Sequence, residues 1–183
     1  MASHVALLHS IVLSPGRRVV MAELRAMAEA LGFSNPRTLV STGNLVFDAD
    51  ADADANGDCG AVGEIEAALE AGFRRHFGRP VDSLVRSADD WRRLAAGNPF
   101  ATSDAGHVTV RVMRAPLPQA AFERLCAVAA PGLRLALVDG DPWIDFSGAP
   151  DETRLAGHLT TKKLGIGTLR NANTVNGLCA MLG

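Results

Sequence analysis

Tyrosine is absent from this chain, and aromatic residues make up only 5% of its 183 residues. Sheet domains that bind RNA commonly stack its bases on exposed aromatic side chains of two neighbouring strands. Two strand candidates of this chain read HVALLHSIVL (4–13) and NLVFD (44–48), and they contain a single phenylalanine. Nucleic acid is therefore not expected as a partner.

The chain also lacks an excess of charge and a long apolar run. Eighteen basic and 20 acidic residues give a net charge of −2, too small to attract nucleic acid or an anionic membrane. No apolar run reaches the length of about 18 residues that a membrane span needs. The N-terminal MASHVALLHSIVL has neither a basic region before its apolar run nor a small-residue cleavage site. We expect a cytoplasmic protein with no membrane partner.

Cysteine and histidine are too scattered to indicate a metal or a nucleophile. Cys59, Cys126 and Cys179 form no CxxC pair, and the five histidines show no HxH or HExxH spacing. We expect reduced thiols, one or two of them buried, with no metal and no cofactor. Neither a GxSxG elbow nor a Cys/His/Asn signature is present, so the sequence predicts no catalytic residue.

Enough apolar residues are present, 48% of the chain, to build a proper core. Period-2 and period-3.6 patterns predict the order β-α-β-β-α-β, a short helix, then β-α-β-β-α-α. The predicted strands cover 4–13, 37–41, 45–48, 81–86, 107–113, 133–138 and 142–146, the last two on either side of a DGD turn (139–141). The predicted helices cover 20–33, 63–78, a short segment for which Ser87 is the N-cap candidate, 118–129, 151–164 and 172–182.

This order predicts an α+β fold of two tandem ferredoxin-like subdomains, with antiparallel sheets that carry their helices on one face. The first subdomain spans 1–86, and 87–106 form a connecting helix and linker. The second subdomain spans 107–183 and replaces its last strand with C-terminal helices.

An acidic tract, DADADADANGD (48–58), interrupts the first subdomain. It lacks apolar side chains to bury, so we expect a mobile solvated loop over 48–60. The tract also matches the start of a calcium loop, with Asp52, Asp54 and Asn56 as ligands and Gly57 at the turn. The twelfth position is Gly63 instead of glutamate, so we favour the solvated loop and predict no metal.

Three loops of the first subdomain are expected at one edge of its sheet: 13–19, the turn 41–44 and 78–80. Their polar residues form a candidate ligand-binding group: Arg17, Arg18, Ser41, Thr42, Asn44 and Arg79. We favour the alternative that these are turn residues and solvated charges, because turn chemistry alone explains most of them.

The second candidate is the polar stretch GIGTLRNANTVNG (165–177). Val175, Leu178, Cys179 and Leu182 have helical spacing, so Asn171 is a natural N-cap for a helix over 172–182, with Thr168 as the alternative. We favour this structural cap, with Arg170 paired to a nearby acid such as Asp145 or Asp151. The alternative is an anion site, because Arg170, Asn173 and Thr174 would lie near free backbone N–H groups.

Residues 5–47 and the motif TLRNANTV (168–175) resemble the bacterial domain of unknown function 1697 family. The resemblance spans nearly the whole chain and implies ferredoxin-like α+β subdomains with no established activity. The chain departs from the family pattern after the first strand. His9 to Pro15 stand where an Arg-Gly-Ile-Asn-Val-Gly-Gly run is typical, and Ala172 stands where tryptophan is typical. The first loop therefore lacks the residues with which the family would bind a ligand there.

These features favour a non-catalytic binding or interaction module. Its partner would be an unknown small anion or a protein, including a second copy of the chain in a homodimer. The alternative is an uncharacterised enzyme or a binder of nucleotide-type or phosphate-type small anions. That alternative would use the helix start formed by Arg170, Asn171, Ala172, Asn173 and Thr174.

Overall fold

The computed structural model describes residues 1–9, 11–15, 17–50, 58–148 and 153–183. The candidate calcium ligands Asp52, Asp54 and Asn56, with Gly57, lie outside these ranges, and so does Asp151. The loop expected over 48–60 is wrong at both ends, since strand structure continues through Ala49 and helical structure begins at Asp58. Its residues 51–57 lie outside the described ranges.

Two compact units make up the chain. The first comprises Met1–Arg92 and Gly177–Gly183, and the second comprises Arg93–Asn176. The division falls after residue 92, within the segment expected to connect the subdomains, and again after residue 176. The helices over 88–96 and 172–181 cross these two points, and each is counted with the unit in which it begins.

The first unit has the ferredoxin-like topology that the sequence predicts. Its sheet has the order β4-β5-β1-β6, with every neighbouring pair antiparallel. Its elements are β1 (Ala2–His9), β2 (Val12–Ser14), β3 (Arg17–Arg18), α1 (Met21–Ala30), β4 (Ser34–Leu39), β5 (Asn44–Ala49), α2 (Asp58–Phe77), β6 (Asp82–Ser87) and α3 (Ala88–Ala96).

Both α1 and α2 pack on the same face of this sheet. Alternate residues of β1, Ala6 and Leu8, form one core with Leu24 of α1 and with Leu69 and Phe73 of α2. This arrangement confirms that the helices cover one face of the sheet, as the order of the elements predicts.

Glutamates of α2 complete the hydrogen bonding of the edge strand β6. The backbone N–H groups of Ser83 and Val85 donate to Glu70 Oε1 (3.0 Å) and Glu66 Oε1 (2.9 Å). An edge strand otherwise presents unpaired N–H groups that recruit other chains. The i, i+4 spacing places both carboxylates on the helix face that meets the strand.

The second unit repeats this topology in full. Its sheet has the order β10-β7-β9-β8, again antiparallel throughout. Its elements are β7 (Val108–Met113), α4 (Gln119–Ala127), β8 (Arg134–Val138), β9 (Asp141–Asp145), α5 (Thr153–Ala156), α6 (Thr161–Leu164), β10 (Gly167–Asn171) and α7 (Ala172–Met181). The α+β class and the tandem ferredoxin-like arrangement are confirmed.

One topological detail predicted for the second subdomain is wrong: helices do not replace its last strand. Strand β10 pairs antiparallel with β7, so that Thr168 faces Val112 and Arg170 faces Val110. Strand β10 is an edge strand, which forms ladder hydrogen bonds with one neighbour alone and needs few apolar residues. Its five residues, GTLRN, therefore show no period-2 alternation of apolar residues in the sequence.

The prediction of a single helix over 151–164 is also wrong. Within the described residues, α5 ends at Ala156 and α6 begins at Thr161. Thr160, which precedes α6, has an extended backbone (φ −99°, ψ 154°). Gly157 and two adjacent β-branched threonines are poor helix-interior residues, which accounts for the break.

The N-cap predicted at Ser87 and the turn predicted between the strands β8 and β9 are both present. Asp90 N–H donates to Ser87 Oγ (3.1 Å) and the Ser87 hydroxyl donates to Asp90 Oδ2 (2.7 Å), which caps α3 as predicted. The strands β8 and β9 are joined by Asp139 (φ 50°) and Gly140 (φ 84°). Positive φ at both positions is the geometry that a two-residue hairpin loop requires.

We expect Gly140→Ala and Gly63→Ala to change stability in opposite directions. A Cβ at Gly140 would lie 2.6 Å from Pro116 Cα, and a left-handed alanine itself costs about 1–2 kcal/mol. A Cβ at Gly63, within α2, would meet no atom within 4 Å, and alanine there should add about 0.5–1 kcal/mol. Urea denaturation measures both, and equal effects of the two substitutions would contradict this account of the turn.

Leu178→Ala should cost about 2–5 kcal/mol because Leu178 is fully buried. Asn176→Ala, on the exposed side of the same helix, should change the free energy of unfolding by less than about 0.5 kcal/mol. Chemical denaturation compares the two variants. An unchanged midpoint for Leu178→Ala would show that α7 contributes little to the core.

Candidate functional site

The structure brings together the three loops predicted at one edge of the first sheet. Leu8 N–H donates to Gly43 O (2.9 Å), which joins the end of β1 to the hairpin turn. Arg79 Nη1 donates to the carbonyls of Val12 (2.7 Å) and Leu13 (2.5 Å). The predicted convergence of 13–19, the turn and 78–80 is therefore present.

The polar groups at this edge act mainly on the turn itself. Asn44 is fully buried, and its Nδ2 donates to Leu39 O and Thr42 Oγ1, both at 3.0 Å. Arg17 and Arg18 are exposed on β3, which pairs with β2. The structure groups Thr42 with Asn44 through a hydrogen bond.

The C-terminal stretch is a helix start, as predicted. Asn171 Oδ1 accepts from Thr174 N (3.0 Å) and from Thr174 Oγ1 (2.9 Å), which makes Asn171 the N-cap of α7. Asn173 is exposed. Two of the polar groups that an anion would use are therefore bonded to one another.

Arg170 lies on β10 and is also bonded within the chain. Its Nη1 donates to Thr168 Oγ1 and to Leu169 O, both at 2.8 Å. Burial lowers the pKa of Arg170 to about 10, so the guanidinium stays charged at neutral pH. These bonds anchor the side chain along the edge strand that the sequence failed to predict.

Asp145, the expected partner of Arg170, is bonded elsewhere. Its carboxylate accepts from the hydroxyls of Ser103 (2.8 Å) and Ser147 (2.6 Å), and it forms an ion pair with Arg134. Burial raises the pKa of Asp145, but the hydrogen bonds from Ser147, Ser103 and Arg134 outweigh burial and hold this pKa well below its usual range. Through the hydrogen bond from Ser103, Asp145 of β9 links the segment around Ser103 to the sheet.

One or two of the three thiols were expected to be buried, and the structure describes the side chains of two of them. Cys126 is exposed and Cys179 is half-buried, and both are free of disulfides. Burial, with a smaller effect from Glu123, raises the pKa of the Cys126 thiol. Within the ranges that the structure describes, no three His, Cys, Asp or Glu side chains are placed to hold a metal ion. None of the described helices is long and apolar enough to cross a membrane.

A cavity that the sequence does not indicate lies between α4 and α6. It has a volume of about 500 Å³, within the range of small-molecule sites. Its described lining is mostly apolar and comprises Ala121, Arg124, Leu125, Ala127, Val128, His158, Lys163 and Leu164. The feature that could have indicated the cavity is on α4, where exposed residues, Ala127 among them, lie beside the buried stripe.

Basic side chains accompany the apolar lining. Arg124 lies on α4 and Lys163 lies on α6, and both are exposed. Lys163 Nζ is 3.2 Å from Nδ1 of the half-buried His158. No acidic residue is among the described lining residues. The cavity therefore combines an apolar surface with positive charge.

Arg111 of β7 holds the α6 wall in place. It is 3% exposed, and its Nη1 donates to Leu159 O (2.8 Å) while its Nη2 donates to Gly165 O (3.0 Å). These two carbonyls flank α6 on either side. Burial lowers the pKa of Arg111, and its Nε has no hydrogen-bond partner in the described part of the chain.

The family described as "Protein of unknown function (DUF1697)" matches residues 1–143. The chain belongs to this family. A solved structure titled "The structure of conserved bacterial protein SP0830 from Streptococcus pneumoniae" is similar over 100% of this chain and 98% of that one. Its TM-score is 0.72 and its sequence identity is 22%, so the likeness shows the fold alone. No curated protein matches.

For this DUF1697 protein, Arg170→Lys separates a structural role from an anion site. The lysine nitrogen is one atom closer to the backbone than Nη1 and should lose one of its two bonds, so we expect the unfolding free energy to fall by about 1 kcal/mol. We expect no binding heat with phosphate, citrate or nucleotides for either protein. Calorimetry that detects anion binding to the wild type, weakened in Arg170→Lys at unchanged stability, would establish the anion site instead.

Proposed function

We propose that this DUF1697 protein is a non-catalytic binding protein that holds a small, mostly apolar organic molecule in the cavity between α4 and α6. The observation that carries the proposal is this cavity of about 500 Å³, with its apolar floor of Ala121, Leu125, Val128 and Leu164. Small-molecule sites are concave, mostly apolar and lined by a few placed polar groups, as this one is.

Apolar burial supplies the affinity of such a site. Covering apolar surface contributes roughly 25 cal/mol per Å², so burying 100–200 Å² contributes roughly 2.5–5 kcal/mol before the costs of association. Those costs limit a small ligand to modest affinity. Because Leu125 is buried and Leu164 packs in the same core cluster, the floor is formed before any ligand arrives.

The composition of the lining favours binding over catalysis. The described lining residues carry alkyl groups, one arginine, one lysine and one histidine, without a hydroxyl, thiol or carboxylate. Acyl transfer and hydrolysis commonly use a hydroxyl or thiol nucleophile with a base, or a pair of carboxylates. A binding role therefore fits the lining better than such a reaction.

Filling the cavity with a side chain should abolish binding. Ala127 lines the cavity and Ala120 lies on the same helix outside the lining, and both are exposed. We expect Ala127→Trp to weaken the binding of naphthoate by at least about tenfold, whereas Ala120→Trp should leave it unchanged. Titration followed by amide chemical shifts in two-dimensional NMR gives the dissociation constant and locates the perturbed residues.

Two results would contradict the proposal. One is that naphthoate perturbs amides elsewhere and leaves those of α4 and α6 unmoved. The other is that both tryptophan variants bind with the wild-type dissociation constant. Thermal unfolding of the two variants checks that each remains folded, and exposed alanines on a short helix should tolerate the substitution.

A further inference from the structure

We infer that the ligand of the α4–α6 cavity carries a carboxylate, which the basic residues of the cavity bind while the apolar floor holds the rest of the molecule. This inference rests on the proposed function, since it concerns the same cavity. It names a ligand class: small amphipathic monocarboxylates.

The cations belong to two different walls of the cavity. Arg124 projects from α4, and Lys163 belongs to α6. An arginine binds a carboxylate through paired N–H groups, and a lysine adds a point charge. A single acidic head group between the two walls can therefore interact with both while its apolar body covers Leu125 and Leu164.

The contact between Lys163 and His158 orients a further donor. With Lys163 charged, its ammonium donates to His158 Nδ1 at 3.2 Å, which requires the neutral histidine to carry its proton on Nε2. The Nε2–H group is then a third donor on the lining. The ammonium keeps two more protons for a ligand.

Negative charge that would neutralise these cations is missing from the described lining. Glu123, next to Arg124 on α4, does not line the cavity and accepts instead from Gln119 Nε2 (3.2 Å). Neither Arg124 nor Lys163 forms an ion pair with any carboxylate in the ranges that the structure describes. A ligand carboxylate would supply the missing charge.

Arg111 adds positive charge close to this wall. Its guanidinium bonds to Leu159 O and Gly165 O, which adjoin the lining residues His158 and Leu164 in sequence. Both partners are neutral carbonyls, so the buried charge is solvated by dipoles and not cancelled. A buried charge of this kind is screened less by salt than an exposed one.

The same features favour a carboxylate over a phosphate. Phosphate sites commonly surround the anion with backbone N–H groups of a glycine-rich loop or a helix start. Here α6 has four residues, too few to provide such a start, and the described lining is dominated by alkyl side chains. Two or three side-chain donors over an apolar floor suit a monoanion with an apolar body.

A matched set of naphthalene derivatives tests the inference: naphthoate, neutral naphthalenemethanol and cationic naphthylmethylamine. We expect naphthoate to bind at least about tenfold more tightly than the alcohol, and the amine to bind most weakly. Lys163→Gln and Arg124→Gln should each remove most of the preference for naphthoate. Lys162→Gln, which changes an exposed neighbour on α6 outside the lining, should keep the preference.

The outcomes separate this inference from the function on which it rests. If naphthoate and naphthalenemethanol bind equally and both perturb the amides of α4 and α6, the carboxylate inference is overturned and the binding function stands. If none of the three compounds perturbs those amides, both are overturned. A loss of preference in Lys162→Gln equal to that in Lys163→Gln would also overturn the inference, because it would show a diffuse effect of net charge.

Discussion

The second unit depends on a buried guanidinium that bonds to backbone carbonyls instead of a carboxylate. Arg111 reaches from the sheet to Leu159 O and Gly165 O, on either side of α6. Burying an isolated charge is costly, but hydrogen bonds to a charged group contribute about 1.5–3 kcal/mol each and offset part of that cost. Because α6 is a four-residue helix, it could not hold this position by itself. The cavity wall that carries Lys163 and Leu164 therefore exists because Arg111 fixes both of its ends.

The two units share a topology and differ in how their helices cover the sheet. In the first unit, α2 runs for 20 residues over the sheet, and its Glu66 and Glu70 complete the edge strand β6. In the second unit, the equivalent connection contains two four-residue helices, α5 and α6. The cavity against α4 lies beside the second of these short helices, α6.

Features set by neighbouring residues could be predicted from the sequence, and features set by distant contacts could not. The Ser87 cap, the Asp139–Gly140 turn and the Asn171 cap were predicted because each depends on three or four consecutive residues. Strand β10 was missed because an edge strand needs little apolar alternation. The cavity was missed because its α6 wall depends on Arg111, which lies 48 residues from one of its partners along the chain. The polar composition of the stretch around Arg170 suggested an anion site as an alternative, yet its polar groups mainly cap and anchor local structure.

The assignment of the α4–α6 cavity as a carboxylate-binding site can be tested with a crystal structure of the protein soaked with naphthoate. We expect one bound molecule between α4 and α6, with its rings on Leu125 and Leu164. We also expect that the carboxylate oxygens lie within hydrogen-bond distance of Arg124 or Lys163, and that Arg111 keeps its bonds to both carbonyls. If naphthoate binds at another surface and the cavity is empty, the assignment is wrong. The assignment is also wrong if the rings point toward solvent and the carboxylate is remote from both Arg124 and Lys163.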